Sequence, residues 1–341
     1  MRPPSLRFTI VTTLTLIALS CAIAADQRLR LLPKFNSGEI LRYEISTRMS
    51  TSGVTTSPIE NPEGASRLKQ TVNMIIRLDI LDAQPATSSA MGRVHVRATY
   101  EKSDATSETD AYDPQAAAAA DQYARLLGRS VEFTIEPDGK LSDISGLEDI
   151  LSNPSMAQSV RSWMTGLSSG AGFPKGGIAL GQKWSNEQPL LGTPLAGLIW
   201  RTDATYLRNE PCRAALPTQA AASPGTAQEL CAVILTRFDI LHRGSRDDLT
   251  PEDYRHNSLR TSGTWTGKGE SLDSISLATG LVVSSTQTST QDINLDITST
   301  RSGSRMLYKG QVETQTEIRL LPSAYIPDSA QPSPPQHSPH P

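Results

Sequence analysis

Apolar side chains arrive at every second position along most of this chain, and that spacing restricts the backbone to extended strands. Leu41, Tyr43 and Ile45 alternate with Arg42, Glu44 and Ser46. Val72, Met74, Ile76, Leu78 and Ile80 form a second series, and Val94, Val96, Ala98 and Tyr100 a third. Val131, Phe133 and Ile135 make a fourth, and Ile293, Leu295 and Ile297 a fifth. A period of two places one side chain in the core and the next in water, the pattern of a half-buried strand. A strand wet on one face belongs in an antiparallel sheet, because parallel strands bury both faces.

The connections carry matching chemistry. Pro137-Asp138-Gly139 predicts a tight turn between two strands, and Thr279-Gly280 another between DSISLA and LVVSSTQT. Proline presets φ and glycine accepts positive φ. From Gly263 to Leu321 the residues predict a meander of long strands rich in Thr, Ser and Gln, with one side in water. The expected fold class is therefore mainly β (α+β): a large curved antiparallel sheet or half-barrel with two or three accessory helices on one face.

Helical signals are few. Asp113-Pro114 opens one candidate that Gly128 closes, with Tyr123, Leu126 and Leu127 as its apolar edge. Asn153-Pro154 opens a second, in which Met156, Val160, Trp163 and Met164 have helical spacing before Gly166. A short third is expected at Thr250-Pro251-Glu252-Asp253, with Thr250 and Asp253 as a variant capping box. Residues 50–66 and 168–177 are expected to be irregular. The segment 322–341 is Pro/Ser/His-rich with almost nothing to bury, and is expected to be a disordered tail.

The first residues point to a compartment. Arg2 and Arg7 precede an uncharged run from Phe8 to Ala18, and Ala22-Ile23-Ala24 forms a small-x-small site. Residues 1–24 thus resemble a secretory signal peptide. The expected product is exported to the periplasm or the extracellular space, with no transmembrane span in the mature chain. Cys21 follows Ala18-Leu19-Ser20, a loose likeness to a lipoprotein box with Ala18 where leucine is usual, so a lipid anchor through Cys21 is disfavoured. Residues 25–321 are expected to form a single β-rich domain, or two intimate halves meeting near 170–180.

Residues 1–24 contain two arginines and no acid. The formal charge goes from −3 for the whole chain to −5 without them, 30 Lys/Arg against 35 Asp/Glu. No basic stripe remains, which argues against a nucleic-acid partner. Cys212 and Cys231 then form an even pair. In an exported chain they predict a disulfide at the base of a hairpin whose loop is made of small residues and prolines. Two thiols without a nearby histidine supply too few ligands for a metal.

Several patterns suggest chemistry and have plainer readings. Gly166-Leu167-Ser168-Ser169-Gly170 matches the nucleophile elbow by letters, but a helix precedes the serine and a Gly/Pro loop follows it. The acids from Asp247 to Asp253 lack calcium-loop spacing. His95 falls on the polar phase of its strand, beside Arg93 and Arg97, and is expected to face water. His337 and His340 lie in the tail. Trp163, Trp184, Trp200 and Trp265 are expected in the core, Trp265 being the least constrained by its glycine-flanked setting.

Four phrases together resemble one pattern: FNSGEILRYEI, VEFTIEPDGKLSDISGLEDI, FPKGGIALGQKWSNE and SISLATGLVVSSTQT. It is that of exported bacterial β-rich proteins of unknown function. The likeness spans most of residues 35–320 and brings no activity or catalytic residue with it. More distantly, the meander is similar to the half-barrels of bacterial lipoprotein carriers, at the level of fold only.

No catalytic set, metal site or cofactor is expected. The leading functional expectation is an exported non-catalytic protein that binds an envelope component. One alternative is a carrier that holds an apolar small molecule or lipid between the sheet and the helix carrying Met156, Val160, Trp163 and Met164. Another is a hydrolase whose site is not contiguous in sequence.

Overall fold

The computed structural model describes residues 28–56, 65–87, 91–110, 121–146, 164, 172–190, 192–212, 229–244 and 248–322. Eleven strands form one antiparallel sheet. On one side of it are β1 (Ile40–Thr56), β2 (Ala65–Ala83), β3 (Val94–Thr109), β4 (Ser130–Ile135) and β5 (Leu141–Ser145). On the other are β6 (Lys183–Pro189), β7 (Leu198–Pro211), β8 (Leu230–His242), β9 (Leu259–Ser276), β10 (Val282–Ser299) and β11 (Arg305–Leu320). Their order is β5-β4-β3-β2-β1-β11-β10-β9-β8-β7-β6. Each strand pairs with its sequence neighbour except at the centre, where the first strand meets the last. β5 and β6 are the two edges, so the sheet is open rather than a closed barrel.

The alternation read from sequence fixes which way each strand faces. Leu41, Tyr43 and Ile45 stand opposite Leu78, Ile76 and Met74 on β2, and Leu78 and Ile76 stand opposite Ala98 and Tyr100 on β3. Val131 and Phe133 continue this face on β4. Across the central seam Ile45 meets Ile318 and Tyr43 meets Leu320. This inner face carries three apolar clusters. The largest covers β1–β4 and includes Tyr100, Phe133, Leu126 and Met164, all at most 1% exposed. The second groups Leu31, Ile178, Tyr206, Ile234 and Ile275. The third groups Leu195, Leu198, Ile240, Ile293 and Leu295, with Trp200, Trp265 and Tyr308 packed against it.

The opposite, outer face is polar. Ion pairs run across it: Arg42–Glu101 at 2.8 Å, Arg77–Asp79 at 2.6 Å, Arg97–Glu132 at 2.7 Å and Arg305–Asp296 at 2.5 Å. His95 lies among them, 3.6 Å from Glu132. Arg42–Glu101 is largely buried, whereas exposed pairs such as Arg97–Glu132 contribute at most about 1 kcal/mol each. Their role is to keep one flank of a very wide sheet in water.

The turns form where expected. Glu136 and Lys140 close the β4–β5 hairpin through the Glu136 amide and the Lys140 carbonyl at 2.8 Å. Gly280, at φ +69°, turns β9 into β10. Cys212 and Cys231 are bonded, with Cα atoms 5.0 Å apart, at the base of the β7–β8 hairpin.

Three expectations need correction. Residues 50–66 are not a loop throughout, because β1 continues to Thr56 and β2 begins at Ala65. Serines and threonines there are ordered by pairing with β2 on one side and β11 on the other, from Ser50↔Glu313 to Thr56↔Leu307. Leu127 is not part of an apolar edge. The chain is helical at 121–124 and turns before Gly128, so Leu126 enters the core while Leu127 stays 58% exposed. Thr250 is not half of a capping box. The short helix α1 (Glu252–His256) has Pro251 at its N-cap and no side-chain cap. The Thr250 hydroxyl instead accepts from the Thr261 amide at 3.0 Å and donates to its carbonyl. That ties the loop before α1 to β9. The proposed tail, the signal peptide and most of the 154–165 segment lie outside the described residues.

Close packing on the inner face depends on one glycine in particular. A methyl group at Gly269 would collide with the Phe238 ring and with the Thr288 carbonyl oxygen. Phe238 lies flat here because it is stacked on Trp200, with ring centroids 4.4 Å apart. Gly269→Ala should therefore cost about 1–3 kcal/mol of stability as an overpacking defect, measured by urea unfolding. The Cys212→Ser/Cys231→Ser double variant should lose about 3 kcal/mol in the same assay, the chain-entropy value for a loop of this size. Its far-ultraviolet circular dichroism should stay strand-like.

Candidate ligand-binding face

Among the described residues the three apolar clusters all lie on one side of the sheet, and they do not cover it evenly. Between the second and third clusters the inner face changes character. At one level across the sheet the register places Met74, Ile45, Ile318, Ser285, Asp273 and Ile234 side by side. At the next level come Thr47, Thr316, Gln287, Ser271 and Thr236, and beyond it Met49, Thr314, Ser289 and Gly269. Ile45 and Ile234 are buried, and the other residues of these three levels are half-buried. They form a belt of hydroxyl and amide groups across the middle strands, bounded by apolar side chains on both sides. Thr47 and Thr316 share a hydrogen bond of 3.2 Å across the central seam, and Trp265 donates its indole N–H to Gln291 at 3.0 Å at the edge of the third cluster.

Asp273 is the exceptional member of this surface. In the regular register of the eleven strands it is the single formally charged side chain on the inner face. The other strand carboxylates and all the strand lysines and arginines point outward or lie at strand irregularities. Ser285 on β10 donates to its Oδ1 at 2.5 Å, and Ser271 on its own strand donates to Oδ2 at 3.0 Å. Among the described residues no cation pairs with it, whereas Asp203, Glu132, Asp296 and Glu317 on the outer face each have an arginine. Burial pushes the Asp273 carboxyl above the usual carboxylate range, and the two serines oppose that rise only in part. Burial in the cluster over β1–β4 likewise raises the Tyr43 phenol beyond its ordinary value, with Glu39 adding to the effect.

The other candidate residues are placed as follows. Met164 is fully buried in the cluster over β1–β4, and Met156, Val160 and Trp163 lie outside the described residues, as does Ser168. Trp184, Trp200 and Trp265 are half-buried and pack against the second and third clusters rather than lying within the buried core as expected. Trp184 donates its indole N–H to the Gly172 carbonyl at 3.1 Å. Among the described residues no group of three or more His, Cys, Asp or Glu side chains is placed to hold a metal ion, and no helix is long and apolar enough to cross a membrane.

Sequence reasoning passed over Asp273. The signal was present: Trp265, Gly267, Gly269, Ser271, Asp273 and Ile275 share one strand phase, and Trp265 and Ile275 mark it as the buried one. An aspartate on a buried phase is a costly placement. It was hidden because Leu272 sits on the opposite phase, where it is 42% exposed.

No protein-family model matches the chain, and no curated protein sequence matches it. No family match backs the resemblance of the short motifs to exported β-rich proteins. Among solved structures the chain is similar to one describing lipid–protein interactions in lipovitellin, at 14% sequence identity and a TM-score of 0.43. The likeness covers 87% of this chain and 27% of that one, so the chain spans about a quarter of the length of the protein it matches.

Asp273 also gives a stability prediction with a definite sign. Its folded-state pKa lies above the ordinary, unfolded value, so the folded state takes up the proton more readily. Its stabilising contribution is complete below the unfolded pKa and is lost as pH rises through the folded one. Above that range the buried charge is a constant penalty. Asp273→Asn, which can still bond both serines, should therefore raise the melting temperature at neutral pH. The gain should shrink on acidification into the carboxylate range, as calorimetric scans across pH would record.

Proposed function

We propose that the protein is an exported, non-catalytic binding protein of the cell envelope, and that its inner sheet face takes an amphiphilic small molecule as a carrier would. The observation that supports this reading most directly is the division of that face. Apolar clusters flank a half-buried belt of Thr, Ser and Gln, so one ligand could place apolar and polar parts on matching surfaces. A core packed only for stability has no use for Thr47, Thr316, Gln287 and Ser271 in its middle. Met156, Val160, Trp163 and Met164 would supply an apolar wall over the first half of the sheet, with Met164 already seated in that cluster.

Export fits the rest of the chain. Residues 1–24 read as a leader, and a Cys212–Cys231 disulfide is compatible with an oxidising compartment. An envelope location would also place a carrier next to lipids and other amphiphiles.

Two measurements test the reading. Native protein purified without detergent should release a bound amphiphile into organic solvent, detectable by mass spectrometry. The delipidated protein should then enhance the fluorescence of a neutral apolar probe such as N-phenyl-1-naphthylamine in a saturable way. A clean extract together with no saturable probe binding would rule out this function.

A further inference from the structure

We propose that Asp273 is the counter-charge for a ligand's ammonium group, so that the inner face selects cationic amphiphiles with a primary amine head. This rests on the binding function proposed above and adds the chemical class of the ligand.

The argument begins with placement. A sheet that puts every other regularly registered strand charge on its outer face puts Asp273 on the inner one. It stands between Ile234 on β8, which is 2% exposed, and Ser285 on β10, with Ile318 one strand beyond. An apolar side chain at this position would extend the second cluster from Ile234 one strand further, as far as Ser285. Asp273 and Ser285 together separate Ile234 from Ile318.

Hydrogen bonding then narrows the chemistry. An ionised carboxylate only accepts, and has about four lone-pair sites. Ser271 and Ser285 occupy one site on each oxygen. They hold the group in one orientation and leave acceptor capacity on both oxygens. Asp273 remains partly exposed although apolar side chains crowd it, so it is recessed and still reachable from the inner face.

Charge selects the ligand head. No arginine, lysine or histidine pairs with Asp273 among the described residues, and the regular inner-face register contains no Lys or Arg. A fixed negative charge with low-dielectric neighbours attracts a cation more strongly than it would in water. A primary ammonium offers three donors, enough for the free acceptor sites on both carboxylate oxygens. A carboxylate or phosphate head alone would be repelled. The hydroxyls of Thr47, Thr316, Ser271 and Thr236 lie at the next level, and the apolar clusters lie on either side of the belt for the ligand's tail.

The test is displacement of N-phenyl-1-naphthylamine from the full exported chain by three single-chain amphiphiles with the same dodecyl tail, each below its micelle threshold. They are dodecylamine, dodecanol and dodecanoate. Wild type should bind the amine about tenfold or more tightly than the alcohol, the range of one charge-assisted hydrogen bond, and the carboxylate least. Asp273→Asn should abolish the preference of amine over alcohol, while an unchanged far-ultraviolet circular dichroism spectrum and saturable binding of the probe show that the variant is folded. If dodecanol and dodecanoate displace the probe but the amine is not preferred, or if Asp273→Asn keeps the preference, the counter-charge role is overturned and the carrier reading stands. If none of the three competes for a probe that binds saturably, this proposal fails together with the amphiphile face.

Discussion

The pairing of β1 with β11 holds this fold together, because it joins the two ends of the strand sequence at the centre of the sheet. The contact is long, running in register from Tyr43↔Leu320 to Thr56↔Leu307. Among the described residues every other strand-to-strand pairing joins neighbours in sequence, apart from the isolated bridge Leu29↔Ile178, so each half of the sheet is a simple meander that could begin to form alone. The seam is the one place where residues more than 250 apart must meet. It also joins the halves of the inner face, with Ile45 beside Ile318 and Thr47 beside Thr316. A large share of the inner face therefore exists only after the last strand has docked. Non-local pairing of this kind slows folding, because loop closure must precede the contacts that reward it.

One-sidedness follows from that architecture. An open sheet of eleven strands has two broad faces and two exposed edges. The outer face is kept in water by arginine–carboxylate pairs spread along the strands, from Arg42–Glu101 on one half to Arg201–Asp203 on the other. Long strands with a charged flank resist stacking against another sheet, and a short edge strand such as β5, five residues long, offers little template for edge pairing. Apolar residues are left with one face to share, and the clusters, the belt and Asp273 all compete for it.

That competition explains what the sequence could and could not disclose. Strands with an apolar inner phase were legible: 41–45, 72–80, 94–100, 131–135 and 293–297 all lie within observed strands facing as their alternation demands. The turns at Pro137–Gly139 and Thr279–Gly280 were legible too, because their residues carry the geometry themselves. The far half of β1 was not. From Thr47 to Thr55 its inner phase reads Thr, Met, Thr, Gly, Thr, as polar as its outer phase, so the alternation vanishes where the belt begins. The belt is thus hard to see in sequence for the same reason that it departs from a packed core. The capping of α1 failed as a local inference because the Thr250 hydroxyl found a tertiary partner in Thr261, which no local pattern encodes.

Asp273 has a structural explanation that must be weighed against the functional one. It bridges Ser271 and Ser285, and so links β9 to β10 at one level of the sheet. A neutral amide could make the same bridge, accepting from one serine and donating to the other, without the desolvation that raises the carboxyl's pKa. Bridging therefore accounts for a polar residue at this position but not for an acidic one. Nor does the neighbourhood require a charge for solubility, since the group faces inward and the outer face already carries the ions. What the carboxylate adds beyond an amide is a fixed negative charge within an otherwise neutral inner face, held in one orientation with acceptor capacity still open. A partner bearing a positive charge, as proposed above, would turn that costly placement into a gain.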